Sequence, residues 1–598
     1  MFVYQCTRLP LCEANILVTT FASIAFPLLI VLDGSQANLK SINSGFFPIG
    51  RFVDSLPNNT SHTTQSKARN PQVTTMSSTT LPDLLSSPNL PNITTLVIYT
   101  PLIYLLIILL PILLNPQNPN LPPGPWYTRF TNLVLKYHEW NGNRRIYIHD
   151  LHKSYGESIR IGVKEFAFCG VEGVKGVYGN EGGELDKTGF YGLFRQLGVR
   201  TTFSTERRLE HKEKKKNIAK PYRNSEIIKP AIMDGIEERS QAFLRKVEDS
   251  ENGVLDFYRY AHCFALDCAS HFLLGTAGTK SIEEKAGMEI MEEMTYHSSL
   301  RSKLLPFHFY SILPLYFPQS TLSTFQSHTL TDQLLTLYLQ PLSTFFLSLF
   351  PQRSTPLTNT YILTSCLHPT QEPHTLLHAL QHASPSLSET QIAAEILDHL
   401  AAGLDTTGAS LTYLLHTLSL PSNLPIQEKL HLSLTSPPKN TTQSETPYLN
   451  ALITETLRLH PPIPMSQPRL TSPSPSKPRI IAQYLIPPNS TVSIQAWSLH
   501  RNPAIFGNDA EMFCPERWLG NEERVREMER GFLAFGRGGR ACTGRDLALA
   551  EMRHLIQRIY TKYRTKTKEG YEADMEMEDQ IISSRPRGQE CKLIFERR

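Results

Sequence analysis

A capping-box pattern at Ser388-Glu-Thr-Gln391 opens a run that continues without proline to Leu420, where Pro421 stops it. The spacing predicts a helix of roughly 30 residues, about 45 Å long at the usual rise. A helix of that length must cross the centre of a domain, so the rest of the chain has to be arranged around it. Its middle, "AAGLDTTGAS" (Ala401 to Ser410), is poor helix sequence. Each glycine costs about 1 kcal/mol relative to alanine, and the threonines can bond back to carbonyls one turn earlier. Local propensity is thus weakest where burial should be greatest. Two readings follow. One is close helix–helix contact at Gly403 and Gly408; the other is a widened groove over a reactive centre, with Asp405 and Thr406 as an acid–alcohol pair that delivers protons.

The 598 residues leave room for several ordinary domains, or for one large domain with extra segments. Lys+Arg 59 against Asp+Glu 55 gives a net charge of +4, too balanced for a nucleic-acid partner. The cysteines are scattered and include no C-x-x-C pair, which excludes a disulfide scaffold and points to a reducing setting.

From Ile93 to Leu114 runs "ITTLVIYTPLIYLLIILLPILL", without a charge. A membrane-crossing helix needs about 20 mostly apolar residues, and spans tolerate prolines such as Pro101 and Pro111 better than soluble helices do. Residues 93–114 therefore read as a transmembrane anchor. An earlier apolar run over 14–32 reads as a signal sequence, a first span, or sequence outside the mature protein. Together with a Ser/Thr/Asn/Pro-rich tract that reads as disordered, it makes 1–92 an N-terminal extension. The proline-rich linker 115–126 is extended and cannot prolong the anchor. Arg129, Lys136, Arg144 and Arg145 follow, which favours the cytoplasmic side for a catalytic domain over 127–598.

Within that domain, Ser158–Gly170 alternates and predicts a hairpin of two short strands. Glu226–Val247 has helical spacing. From Pro318 to Ser388 the chain carries very few charges and has no clear period. Tyr448–Leu470 begins as an amphipathic helix ended by Pro461-Pro462, with Glu455 and Arg458 on one face at i,i+3. Such pairs are usually solvated, but Leu452, Leu457 and Leu459 leave little room for water. The pattern predicts a buried, multiply bonded pair that Arg517 of "CPERW" can join.

The loop "FGRGGRACTG" (Phe535 to Gly544) holds four glycines, two arginines and one cysteine before a helical run. A dinucleotide loop should follow a buried strand and be trailed by an acid about 20 residues on. "NEERVREMERG" before it is no strand and "IYTKYRTKT" after it holds no acid, so that reading fails. A nucleophilic cysteine needs a base, and the loop has no His, although a distant one stays possible in principle. A zinc site needs three further ligands. A thiolate ligand of haem iron needs no partner ligand. It needs backbone N–H groups and a helix N-terminus near sulfur, and cations for the propionates.

Phe535-x-x-Gly538-x-Arg540-x-Cys542-x-Gly544 resembles the haem-binding signature of the cytochrome P-450 monooxygenases. Glu455-x-x-Arg458, Pro515-Glu516-Arg517-Trp518 and Ala402-Gly403-x-Asp405-Thr406-Thr407 are similar to that family's K-helix, meander and oxygen-activation motifs, in the same order. The hydrophobic anchor followed by "LPPGP" looks like its microsomal members. The resemblance spans roughly 120 to 598 and implies a mainly α fold with small β-sheets, an α+β architecture with the long helix over the haem. It implies haem b (iron protoporphyrin IX) with Cys542 as axial thiolate, and Thr406 with Asp405 relaying protons to dioxygen. Arg540 and Arg469 would bind propionates. Where many members carry Trp-x-x-x-Arg this chain has His211-x-x-x-Lys215, which makes His211 and Lys215 further candidates. Arg537, Arg545 and Lys214–Lys216 would contribute a basic face for an NADPH-cytochrome P-450 reductase, or are simply solvated charges.

The implied function is insertion of one oxygen atom from O2 into a lipophilic small molecule, such as a terpenoid, sterol, fatty acid or other secondary metabolite. The implied setting is the endoplasmic reticulum membrane. Pocket residues are expected from Gly192–Ser204, the long helix before Gly403, Ile463–Gln467 and Ile581–Ser584. The alternatives are a haem-thiolate isomerase or dehydratase needing no electrons, and a degenerate haem-binding membrane protein.

Overall fold

The computed structural model of the chain describes Tyr99 and residues 120–179, 184–298, 355–436, 446–474 and 479–598. The extension 1–92, the anchor 93–114 apart from Tyr99, residues 115–119 of the linker, and the low-charge stretch up to 354 lie outside the described residues. Among the described residues no helix is long and apolar enough to cross a membrane. Gln117–Arg598 forms one unit.

The helices that position the site are α1 (Arg208–Ile218), α2 (Pro230–Glu248), α3 (Phe257–Leu274), α4 (Glu389–Ser419), α5 (Pro447–Leu459) and α6 (Arg545–Lys562). The long helix α4 starts as its sequence dictates. Ser388 Oγ accepts from the Gln391 N–H at 3.2 Å, and Gln391 Oε1 accepts from the Ser388 N–H at 2.8 Å. Leu404, Leu411, Leu414, Leu415 and Leu418 are buried against Phe264 and Phe272 of α3, Leu452 of α5 and Ile559 of α6 in one hydrophobic core. Both glycines of α4 have a packing cause. A Cβ at Gly403 would meet Ala269 Cβ at 2.9 Å, and one at Gly408 would meet the His262 ring at 2.7 Å, both on α3. The helix-contact reading therefore accounts for these two positions.

The predicted hairpin is β1 (Ser158–Gly162) with β2 (Glu165–Phe168), antiparallel. Three further strands complete its sheet: β3 (Asp186–Lys187), β4 (Arg469–Leu470) and β5 (Thr491–Ile494), in the order β1-β2-β5-β4-β3. The β2–β5 pair is parallel. A second sheet joins Val254–Asp256, Lys592–Arg597 and Tyr563–Thr567. A two-stranded hairpin, β6 (Met577–Asp579) and β7 (Ser584–Pro586), leans on the chain after α5 through Ser584 N–H to Pro462 O at 3.0 Å. The architecture is mainly helical with small sheets, as anticipated.

One boundary needs correction. The segment Glu226–Val247 is not one helix. A short helix ends at Ile227, and α2 starts afresh with Pro230 in its first turn. Proline has no N–H to give an upstream carbonyl and suits only a helix start. The described part of the low-charge stretch holds helices Pro356–Cys366 and Leu376–Gln381.

Candidate active site

The carboxylate–guanidinium lock is fully buried. Glu455 and Arg458 side chains are each 0% exposed, and Arg458 donates to both Glu455 oxygens at 2.8 Å. Arg517 Nε, Trp518 Nε1 and the Cys514 N–H donate to the same carboxylate at 3.0, 2.9 and 2.9 Å. Arg458 also donates to the carbonyls of His500 and Met512. Every charge in the network is bonded several times over, which a dry ion pair requires. The lock joins α5 to the chain that leads into the cysteine loop.

That loop is shaped by backbone that only glycine takes easily. Gly536 and Gly538 have φ of +66° and +74°, and a Cβ at Gly538 would stand 2.2 Å from the Tyr178 carbonyl. The Cys542 N–H bonds the Phe535 carbonyl at 2.7 Å, closing the loop. Gly544 caps α6, and its N–H faces the Cys542 sulfur. Arg545 lies over the Phe535 ring at 5.7 Å. Cys542 is exposed on one side. Burial on its other sides pushes the thiol above its ordinary value, while the Gly544 amide and the Lys215 and Arg545 charges pull it down.

Beside the loop the sheet creates a dense group of cations. In the β3–β4 register Lys187 stands directly opposite Arg469. Like charges across a ladder are destabilising. Lys187 Nζ bonds the Phe203 carbonyl at 2.5 Å and lies over the Tyr191 and Phe203 rings. Burial, then Arg469 and Arg540, hold its ammonium well below its ordinary pKa. Arg469 donates to Tyr191 Oη at 2.9 Å. Arg540 reaches the Thr205 and Glu206 carbonyls at 2.7 and 2.6 Å and Glu184 at 3.2 Å. His211 of α1 is lowered to about 3 by burial, then by Arg540, Lys187, Lys215 and Arg469. The structure thus brings His211, Arg469 and Arg540 together, and adds Lys187, which no local motif in the sequence marks.

Lys215 is placed differently. Its ammonium reaches the Gly539 carbonyl at 2.8 Å and the Ala541 carbonyl at 3.5 Å, so it ties α1 to the cysteine loop. Among the other basic residues, Lys216 pairs with Glu213 at 2.8 Å, and Lys214 bonds the Arg200 carbonyl at 2.6 Å. Arg537 donates to the Arg530 carbonyl at 2.7 Å.

On α4, Ala402 is exposed although the helix is mostly enclosed. Thr406 Oγ1 bonds back to the Ala402 carbonyl at 2.8 Å. Asp405 is buried and paired with Arg585 of β7 at 2.7 Å. Behind the pair, burial pushes the Glu551 carboxyl of α6 up to about 8, against a hydrogen bond from Thr407. Neither Arg585 nor Glu551 is signalled by sequence, because each meets α4 only through the tertiary fold.

The family described as Cytochrome P450 matches residues 121–593, and the chain belongs to it. The chain is similar to the cytochrome P450 monooxygenase orf2 of Aspergillus niger, at 24% identity over 79% of this chain and 92% of that protein. It is similar to pisatin demethylase of Fusarium vanettenii at 25% identity, over 74% of this chain and 82% of that one. The cytochrome P450 monooxygenase stcB of Emericella nidulans is 27% identical over 79% of this chain and 88% of its own. The protein is therefore an oxidoreductase of the haem-thiolate monooxygenase class. Its residues fit such a group: an open thiol on a glycine loop stands near the crowded basic side chains Lys187, Arg469 and Arg540, whose repulsion a dianion would relieve, with the neutral His211 imidazole among them.

Proposed function

We propose that Cys542 is the axial thiolate of haem b and that Lys187, Arg469, Arg540 and His211 hold its propionates. What carries the reading is the like-charged pair Lys187–Arg469, set side by side in one register and beside the arginine of the cysteine loop. A fold keeps buried cations together when an anion sits among them. Phe535 and Arg545 shield the sulfur, and Lys215 fixes its loop. The haem, when bound, supplies activation of dioxygen and insertion of one oxygen atom. Asp405 and Thr406 pass protons from solvent to the oxygen side, with Glu551 as a neutral acid behind them.

Electrons come from NADPH through a separate reductase, which docks on the basic face around Arg537, Arg545 and Lys216. The substrate is a lipophilic small molecule, such as a terpenoid, sterol, fatty acid or other secondary metabolite. Residues 93–114 anchor the chain in the endoplasmic reticulum membrane. The test is turnover of a panel of such compounds with reductase, NADPH and isotopically labelled dioxygen. One labelled oxygen atom per product, dependent on NADPH, is expected. A product formed without NADPH or labelled oxygen would replace this reading with an isomerase or dehydratase.

A further inference from the structure

We infer that Tyr222, given Cys542 as the haem ligand, is a redox outlet that yields an electron to the haem and its proton to His399. Tyr222 follows α1, and its ring lies against the start of α6, where a Cβ on Gly544 would stand 3.5 Å from its Cε1. Cys542 is two residues from Gly544, at most about 7 Å along the backbone. The ring also packs on Phe272 of α3, with centroids 4.6 Å apart. An oxidisable side chain thus lies close to the sulfur, and no step of the proposed oxygen chemistry uses it.

The partner of its hydroxyl gives it a route for the proton. Tyr222 Oη bonds His399 Nδ1 at 2.7 Å, and the two rings are stacked 25° from parallel. The other ring nitrogen, Nε2, faces Glu395 Oε1 at 3.5 Å. Glu395 is buried on α4 one turn before His399, and both its oxygens accept the Thr202 N–H at 3.0 Å. Burial raises its pKa, but the bonds from His399 and Thr202 outweigh this and hold it below its ordinary value. A carboxylate at Nε2 keeps the proton on that nitrogen, so Nδ1 is the acceptor and the phenol is the donor. When Nδ1 takes the phenolic proton, the imidazolium forms beside a negative charge already in place. Without that transfer, an oxidised ring at 8% exposure would be an unpaired charge away from water. Tyr191 of the same site has no such acceptor, because its hydroxyl meets the Arg469 guanidinium, which takes no proton.

Tyr222 acts when dioxygen has been activated and no substrate takes up the oxidising equivalents. One electron passes from the phenol to the haem, the O–H bond breaks, and the proton moves to His399 Nδ1. A neutral tyrosyl radical and an imidazolium remain. An electron from the reductase and the returning proton restore the phenol. Two such cycles supply two electrons, and with two solvent protons the unused oxygen atom leaves as water instead of damaging the haem.

The experiment mixes the haem-loaded full chain, without substrate, with a peroxy acid, which supplies two oxidising equivalents. Samples are frozen rapidly for electron paramagnetic resonance, and loss of the Soret band is followed in parallel. Wild type should give a tyrosyl signal that narrows when ring-deuterated tyrosine is incorporated. Tyr222→Phe should lose most of that signal and bleach several-fold faster. His399→Leu keeps the phenol without its proton acceptor and should cut the signal several-fold. The reduced carbon monoxide spectrum of each sample shows separately whether thiolate-bound haem is present. A wild type without that band overturns the reading of Cys542. With the band present, no tyrosyl signal in wild type, or an equal signal in Tyr222→Phe, overturns the outlet. An equal signal in His399→Leu overturns the proton route. If Tyr222→Phe does not hold haem, Glu395→Gln, which removes the charge behind His399, should lower the signal, and an unchanged signal overturns the inference.

Discussion

The Lys215 ammonium lies 2.8 Å from the Gly539 carbonyl, so α1 holds down a loop 324 residues away in sequence. That one contact gives the cysteine loop both a mechanical tie and a positive charge near sulfur. Lys215→Met should lower the Soret-to-protein absorbance ratio of purified protein several-fold, through loss of haem. Lys215→Arg should restore most of it. An unchanged ratio in Lys215→Met would remove Lys215 from the site.

Glu455 is the hub of a network whose members are almost wholly buried. Glu455→Gln leaves Arg458 with an uncompensated charge at 0% exposure, and breaking such a pair costs about 3–5 kcal/mol. The denaturant midpoint should fall accordingly, or soluble protein should be lost. A midpoint within error of wild type would mean that the network is not formed in solution.

Two glycines of the cysteine loop should respond unequally to alanine. Gly538 has positive φ and faces the Tyr178 carbonyl at 2.2 Å from an added Cβ. Gly544 would gain only an ordinary contact with the Tyr222 ring at 3.5 Å. Gly538→Ala should destabilise by at least about 2 kcal/mol, and Gly544→Ala by much less. Thermal melts of the two variants side by side check the contrast.

His500 predicts a pH dependence of stability. Its Nδ1 donates to the Arg458 carbonyl at 2.9 Å, and its Nε2 accepts the Leu533 N–H at 2.8 Å, which needs a neutral ring. Burial first, then Arg458 and Arg501, lower its pKa to about 3, against an ordinary 6.5, while its bond to the Arg458 carbonyl opposes the shift. The unfolded chain therefore takes the proton first. The stability is present above 6.5 and is lost as pH falls toward 3. Relative to His500→Gln, the wild type should lose about 1.4 kcal/mol per pH unit across that window. Urea midpoints at pH 7, 6, 5 and 4 measure it, and parallel curves for the two proteins would refute it.

The parts legible in the sequence were those written locally. Ser388 and Gln391 are three residues apart and so are Glu455 and Arg458, so helix geometry alone predicts that they meet. Arg517 came in through a compact motif, and Cys542 through glycines whose φ values only make sense in a tight loop. Lys187, Glu551 and Arg585 were invisible for the opposite reason. Lys187 meets Arg469 only because β3 pairs with β4, and Arg585 meets Asp405 only because the β6–β7 hairpin folds back onto α4. The break before Pro230 was legible in principle, since proline suits a helix start, but apolar spacing ran through it.

The function proposed for the glycine loop, the crowded basic residues and Cys542 stands or falls with a sulfur–iron bond at Cys542. The test is the absorption spectrum of the dithionite-reduced protein with carbon monoxide, for the wild type and for Cys542→Ala. The wild type should give the red-shifted Soret band of a thiolate-ligated haem, and Cys542→Ala should lack it. A Cys542→Ala protein that keeps the red-shifted band would contradict the assignment of Cys542 and the site built around it.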